Sequence, residues 1–226
     1  MLWQEEDSDP GNIEVSLDVF DLVFKIESQA IPIDHAHCLH EGIISHLPWM
    51  IDEPAAGIHQ IHVAESSNGW IRPTGAGSLL MPSRRTRLII RLPLNRLKDA
   101  ENLCEKIIEL DGYSLKINAC ESRPLSKMTT LFARYVDTAG FEDDSIFIDT
   151  ILAQLMSQQI RVKKMLSGLE TQHLIYNKIV RTRKLMVSGL SIADSIKLQQ
   201  IGLGDKKLFG IGLFLPHKGI DAVRPD

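Results

Sequence analysis

RTRLIIRLPLNRLKDAENLCEKIIELDGYSLKINA, residues 85–119, carries the pattern that decides the fold. In RTRLIIRL (85–92) the bases face one way and the apolar residues the other, which predicts a strand. Pro93 ends it. LNRLKDAENLCEKIIEL (94–110) then predicts a helix, with Leu97, Ala100, Leu103, Cys104, Ile107 and Ile108 as its apolar stripe. Asp111-Gly112 turns the chain into YSLKINA (113–119), a further strand. Upstream, DVFDLVFKIES (18–28) alternates and is rich in Val, Ile and Phe, so it reads as a strand. A helix follows in IPIDHAHCLHEGIISHLPWM (31–50), on Ala36, Leu39, Ile43 and Leu47, with Asp34 as N-cap and Pro48 as stop. GIHQIHV (57–63) is a short strand, and ESSNGWIRPTGAGS (65–78) a loop. The order is β-α-β-β-α-β.

The second half repeats it. LFARYVD (131–137) predicts a strand and DSIFIDTILAQLMSQQ (144–159) a helix. RVKKML (161–166) and KIVRTRKLMVSGL (178–190) predict a basic hairpin, joined by a polar, mobile connection SGLETQHLIYN (167–177). SIADSIKLQQIG (191–202) is a short helix capped by Ser191, and LFGIGLFLP (208–216) a closing strand. The expected class is α+β: two tandem ferredoxin-like folds with a cleft between them. The expected division is an acidic leader (1–17), an N-terminal unit (18–125) and a C-terminal unit (126–226) with the hairpin and a Gly-rich loop.

The chain has 226 residues, 44% hydrophobic and 24% charged, which excludes collagen-like, coiled-coil and wholly disordered readings. No apolar run reaches the roughly 18–20 residues of a membrane span, and MLWQEEDSDPGN is no signal peptide. Cys38, Cys104 and Cys120 are odd in number and lack C-x-x-C spacing. They argue against a disulfide scaffold or structural zinc and fit a reducing cytoplasm. Charge is uneven beneath a formal total of −4. Residues 1–30 hold eight acids and one base, a sum of −7, whereas residues 161–218 hold eleven bases and three acids, a sum of +8. That asymmetry predicts a basic surface on the C-terminal half.

Gly202-Leu203-Gly204-Asp205-Lys206-Lys207-Leu208-Phe209-Gly210-Ile211-Gly212 places four glycines in eleven residues. Such a loop brings backbone N–H groups close to an anion, and two lysines stand within it. It is neither a P-loop nor a dinucleotide fingerprint, because it follows a helix rather than joining a strand to one. Read as G-h-G-x5-G-h-G (h apolar) near the end of tandem ferredoxin-like folds, it resembles the CRISPR-associated repeat-processing endoribonucleases of the Cas-six family. IPIDHAHCLHEGI, NGWIRP, SRRTRLIIRLP, PLSKMTTLFARYV, RKLMVSGL and LFGIGLFLPHKGI are similar to the MYXAN subtype, over roughly residues 19–220.

The resemblance implies an endoribonuclease that cuts CRISPR precursor transcripts within the repeat. The 2′-hydroxyl attacks the adjacent phosphate, without metal or cofactor, leaving 2′,3′-cyclic phosphate and 5′-hydroxyl ends. It implies as partners the repeat RNA, the retained mature guide RNA and other subunits of a surveillance complex, and no membrane. It places a catalytic histidine on the first helix, where His35, His37, His40 and His46 occur. Match to the run I-P-I-D-H-A favours His35, with His40 the runner-up. On a helical wheel His40 lies about 40° from the stripe centre and His35 about 100°, at an edge that suits a cleft. A zinc site from His35, His37 and His40 is a poor fit, because i and i+2 do not share a helix face. Candidate RNA-binding residues are Arg84 and Arg85, and Arg181, Arg183 and Lys184 on the hairpin. Gly202, Gly204, Lys206, Lys207, Gly210 and Gly212 of the loop join them, with His217 and Lys218 beyond. Two alternatives stay open. One is an RNA-binding subunit of the surveillance complex that holds its product without cutting. The weaker one is a small-molecule-sensing or phosphoesterase tandem fold, which lacks its paired H-x-[ST] motifs or acidic metal cluster here.

Overall fold

A strand rich in β-branched and aromatic residues, Val19–Glu27 (β1), forms the centre of the first sheet. The computed structural model describes residues 18–63, 77–141 and 143–217. After β1 come Ile31–Pro32 (β2), helix Ala36–Ile44 (α1), Gly57–His59 (β3), Leu79–Leu80 (β4) and Arg87–Pro93 (β5). A single helical turn, Leu97–Ala100 (α2), leads to Ile107–Leu110 (β6) and Tyr113–Pro124 (β7). The sheet runs β3-β5-β1-β7-β6, with every neighbouring pair antiparallel, and β2 pairs separately with β4. Without β6, this is the fourth-first-third-second order of a ferredoxin-like unit. Leu39 and Ile43 of α1 pack into the core with Phe24, Leu88 and Ile90.

The predicted helix over 94–110 is corrected. Only its first part coils; Glu105 turns out at a φ of +64° and donates its N–H to Ile117 O at 2.7 Å. Ile107 to Leu110 then alternate exposed and buried along β6. Asp111 (φ +49°) and Gly112 (φ +89°) form a two-residue hairpin turn. The β-branched pair beside an Asp-Gly turn favours a hairpin, and that outweighs a helical stripe whose last member, Ile108, also alternates with Leu110 at a period of two.

The second unit contains Leu131–Asp137 (β8), helix Asp144–Ser157 (α3), Lys164–Ile175 (β9), Lys178–Ser188 (β10), helix Ile192–Ile201 (α4) and Phe214–Pro216 (β11). Its order, β11-β8-β10-β9, is again fourth-first-third-second and antiparallel. Asp143 caps α3 by accepting from the N–H groups of Ser145 and Ile146; Ser191 caps α4 through Asp194 N–H. Phe147, Ile151 and Leu155 of α3 pack on Leu131, Ala133, Leu185 and Val187. The connection expected to be mobile is strand as far as Ile175, and only Tyr176 (φ +47°) and Asn177 (φ +59°) turn. The expected strand over 208–216 is a 3-10 turn at Lys207–Phe209 and strand only from Phe214.

The two sheets are tied through Arg91 of β5. Its guanidinium is fully buried and donates to both carboxylate oxygens of Asp21 at 2.8 and 3.0 Å. Nη1 also donates to Gln199 O and Phe214 O, at 2.8 and 2.9 Å. The bases of this strand share one face as expected, and at Arg91 that face meets the second unit.

Candidate active site

Helix α1, the tip of the β9–β10 hairpin and the 3-10 turn of the Gly-rich segment converge on one histidine. His40 lies on the inner side of α1, 5% exposed, with its ring centroid 4.1 Å from that of Phe209. Its Nε2 is 3.4 Å from the Tyr176 hydroxyl, which donates to Glu41 Oε1 at 3.0 Å. His37, one turn back on α1, sets its ring edge-on to Tyr176 at 4.6 Å. Burial is the largest influence on His40 and lowers its pKa below 6.5, outweighing the nearby Glu41 carboxylate. Tyr176 is pushed the other way, by desolvation and by its bond to Glu41.

His35 is placed differently. It is fully buried at the entry to α1, with Nδ1 2.8 Å from Pro32 O and Nε2 accepting the Ile61 N–H at 2.9 Å. The carbonyl demands a proton on Nδ1 and the amide demands a lone pair on Nε2. The ring is therefore a fixed neutral tautomer that ties three chain segments together, and neither nitrogen is turned toward the cluster. The helical-wheel argument that set it at a cleft-facing edge does not apply, because His35 precedes the first helical turn. The expectation for Asp34 is corrected as well. It makes no N-cap; its carboxylate accepts the Leu174 N–H at 2.8 Å, and Oδ1 lies 3.7 Å from Nδ1 of buried His173.

All four glycines of the Gly-rich loop have positive φ. Three of them answer to packing. A Cβ on Gly212 would lie 1.7 Å from Leu203 O, one on Gly202 2.7 Å from Gly212 O, and one on Gly210 2.7 Å from Gln60 Cγ. At Gly204 (φ +73°) a Cβ would meet nothing within 4 Å, so this glycine leaves its backbone open. The lysines are engaged. Lys206 pairs with Asp137 at 2.9 Å and Asp205 at 3.2 Å, and the Asp137 bond raises its pKa. Lys207 donates to Pro54 O, and burial lowers its pKa.

The remaining basic candidates are spread out. Arg84 and Arg85 are exposed on the turn before β5. Arg181 and Lys184 are exposed on β10, whereas Arg183 is held by Asp144 of α3 at 3.1 Å. His217 is half-buried, its ring 6.0 Å from Phe132. Lys218 and the NGWIRP motif lie outside the described residues. Among those described, no group of three or more His, Cys, Asp or Glu could hold a metal ion. The residues sequence reasoning missed are Tyr176, Glu41 and His173. An aromatic in a two-residue turn between alternating runs was the available signal for Tyr176.

The family model described as Cas6 Crispr matches residues 20–219. The chain belongs to the Cas6 family. It is similar to the CRISPR-associated endonuclease Cas6 of Myxococcus xanthus (strain DK1622), with 25% identity over 206 residues, covering 91% of this chain and 84% of that one. Solved structures give the same fold at low identity. A CRISPR associated protein Cas6 superposes with a TM-score of 0.64 at 11% identity, covering 88% of this chain and all of the other. The product of a Cas6-related gene from Pyrococcus furiosus gives 0.60 at 14%, covering 87% and 98%. Thermus thermophilus Cse3, bound to an RNA representing a pre-cleavage complex, gives 0.52 at 12%, covering 88% and 98%. The Cas6 fold of tandem ferredoxin-like units agrees with the strand order of both sheets here. No helix among the described residues is long and apolar enough to cross a membrane.

Proposed function

We propose that this Cas6-family protein is a metal-independent endoribonuclease that cuts CRISPR precursor RNA within the repeat and then retains the guide. The observation that carries this is His40, buried on α1 between Phe209 of the Gly-rich segment and the Tyr176 hydroxyl. A histidine whose pKa is lowered by burial is neutral at physiological pH and has a lone pair to take a proton from a 2′-hydroxyl. The 2′-oxygen then bonds to phosphorus as the bond to the 5′-oxygen breaks, and the leaving 5′-oxygen takes up a proton from water, giving 2′,3′-cyclic phosphate and 5′-hydroxyl ends. Tyr176 donates its hydroxyl proton to Glu41 in the free protein and, 3.4 Å from His40 Nε2, is placed to turn it to a phosphate oxygen bound beside that histidine. Gly204 offers open backbone to the RNA, and Arg84, Arg85, Arg181 and Lys184 offer exposed cations. The same reading divides the chain at residues 125/126, between β7 and β8, where each side closes its own sheet.

The test is incubation with labelled repeat RNA in EDTA, with the fragment ends identified. A single cut leaving cyclic phosphate and 5′-hydroxyl ends, lost in His40→Ala, is the expected result. Tight binding without a cut would instead support an RNA-holding subunit, and no binding would overturn both.

A further inference from the structure

Asp34 stands just ahead of α1, where a carboxylate ordinarily caps the helix that follows. Here His35 takes the cap position without a side-chain cap bond, and Asp34 reaches to the other sheet. Its Oδ2 accepts the N–H of Leu174 at 2.8 Å, across 140 residues of sequence. β9 is an edge strand, so an outward N–H on it has no ladder partner, and the Asp34 carboxylate supplies one. Beside it, His173 is buried with Nε2 3.2 Å from Thr182 Oγ1, and Tyr135 packs edge-on at 4.5 Å. Two residues beyond Leu174 the chain reaches Tyr176, whose hydroxyl meets His40 and Glu41. Burial pushes the Asp34 carboxyl up, but His173 and the Leu174 N–H outweigh it and keep the group ionised. The two halves of the cluster thus come from different units, helix α1 of the first and the β9–β10 hairpin of the second, and Asp34 bridges them next to where they meet.

We propose that Asp34 is a positioning residue, its carboxylate latching the edge of β9 to the start of α1 and so setting the Tyr176 hydroxyl against His40. This rests on the reading of that cluster as the reactive site. The Asp34 side chain remains partly exposed, so losing the latch disturbs the hairpin tip more than the fold.

The experiment measures single-turnover cleavage of labelled repeat RNA, RNA affinity and amide hydrogen exchange at Leu174. The variants are Asp34→Ala, Asp34→Asn, Tyr176→Phe and the Asp34→Ala/Tyr176→Phe double. Asp34→Ala is expected to slow the cutting step about 10- to 100-fold with RNA affinity unchanged. Asp34→Asn keeps a carbonyl for the Leu174 N–H and recovers most of the rate. In the Tyr176→Phe background Asp34→Ala costs nothing more, because both changes remove the same placement. Leu174 exchanges faster in Asp34→Ala and not in Asp34→Asn. A full cost on top of Tyr176→Phe, a loss confined to RNA affinity, or unchanged exchange at Leu174 would overturn the latch. If Tyr176→Phe and His40→Ala both cut at full rate, the site reading fails instead, and the exchange at Leu174 then decides the latch alone.

Discussion

A histidine acts as a base only if one ring nitrogen is free to take a proton at the working pH, and the first helix's two candidates divide on that condition. His40 keeps Nε2 toward the Tyr176 hydroxyl, and its pKa is lowered by burial. If His40 is the base, as proposed, its neutral form is the active one, and the rate should fall only as pH drops through a value below 6.5 and stay level across neutrality. A pH–rate profile checks this, and His40→Ala should lower the rate about 10²- to 10⁴-fold with RNA affinity kept. His35→Ala has a different expected signature. It orphans the Ile61 N–H and the Pro32 carbonyl in the core, costing about 1–3 kcal/mol in urea denaturation while each folded molecule still cuts. The histidine-rich helix was legible in the sequence, but the choice within it was not. Nothing local in I-P-I-D-H-A shows that the Ile61 amide, 26 residues on, fills the His35 ring.

Elements were legible where a single periodicity ruled and misread where two fitted. β1, β8, α3 and α4 stand close to where alternation, stripe and cap residues placed them. Residues 107–110 satisfied both periods, and the Asp111-Gly112 turn decided for a strand. In 167–177 polar residues concealed an edge strand, since its outer face needs no apolar side chains. The Gly-rich loop was legible as unusual, although its glycines do not share one task. Gly212→Ala drives a methyl into Leu203 O and should leave little folded protein, seen by circular dichroism and expression. Gly204→Ala meets open space and pays only for its left-handed backbone, roughly 1–2 kcal/mol. If Gly204 lies under the RNA backbone, that variant folds and yet binds repeat RNA more weakly than its small loss of stability explains, measured by filter binding.

Across the whole molecule, what no local pattern encodes is how the two units meet. The repeated strand order was readable because each unit carries its own periodicities; Arg91, read only as one of the bases on one face of its strand, reaches across 123 positions to Phe214. Its guanidinium makes four hydrogen bonds, two to Asp21 and two to carbonyls of the second unit, so removing it strands a buried carboxylate and two acceptors. Arg91→Ala should cost about 3–5 kcal/mol in denaturant unfolding. Arg91→Met with Asp21→Leu removes both charges and should recover part of this; recovery stays incomplete because Gln199 O and Phe214 O still lack a donor. The pH dependence separates the ion pair from simple packing. Burial raises the Asp21 carboxyl, but Arg91 outweighs it and holds the pKa below 3.8. A carboxyl depressed in the folded state contributes its full stability above the unfolded value and loses it as pH falls through the folded one. The wild-type protein should therefore lose this contribution only in acid, at and below about pH 3.8, whereas Arg91→Ala, left with only the weaker pull of His59 and Arg123 against burial, should show much less of that loss. Denaturant midpoints compared between pH 3 and pH 6 decide it: equal acid sensitivity in both proteins would mean that Arg91 braces the two sheets by its carbonyl bonds and not by its charge.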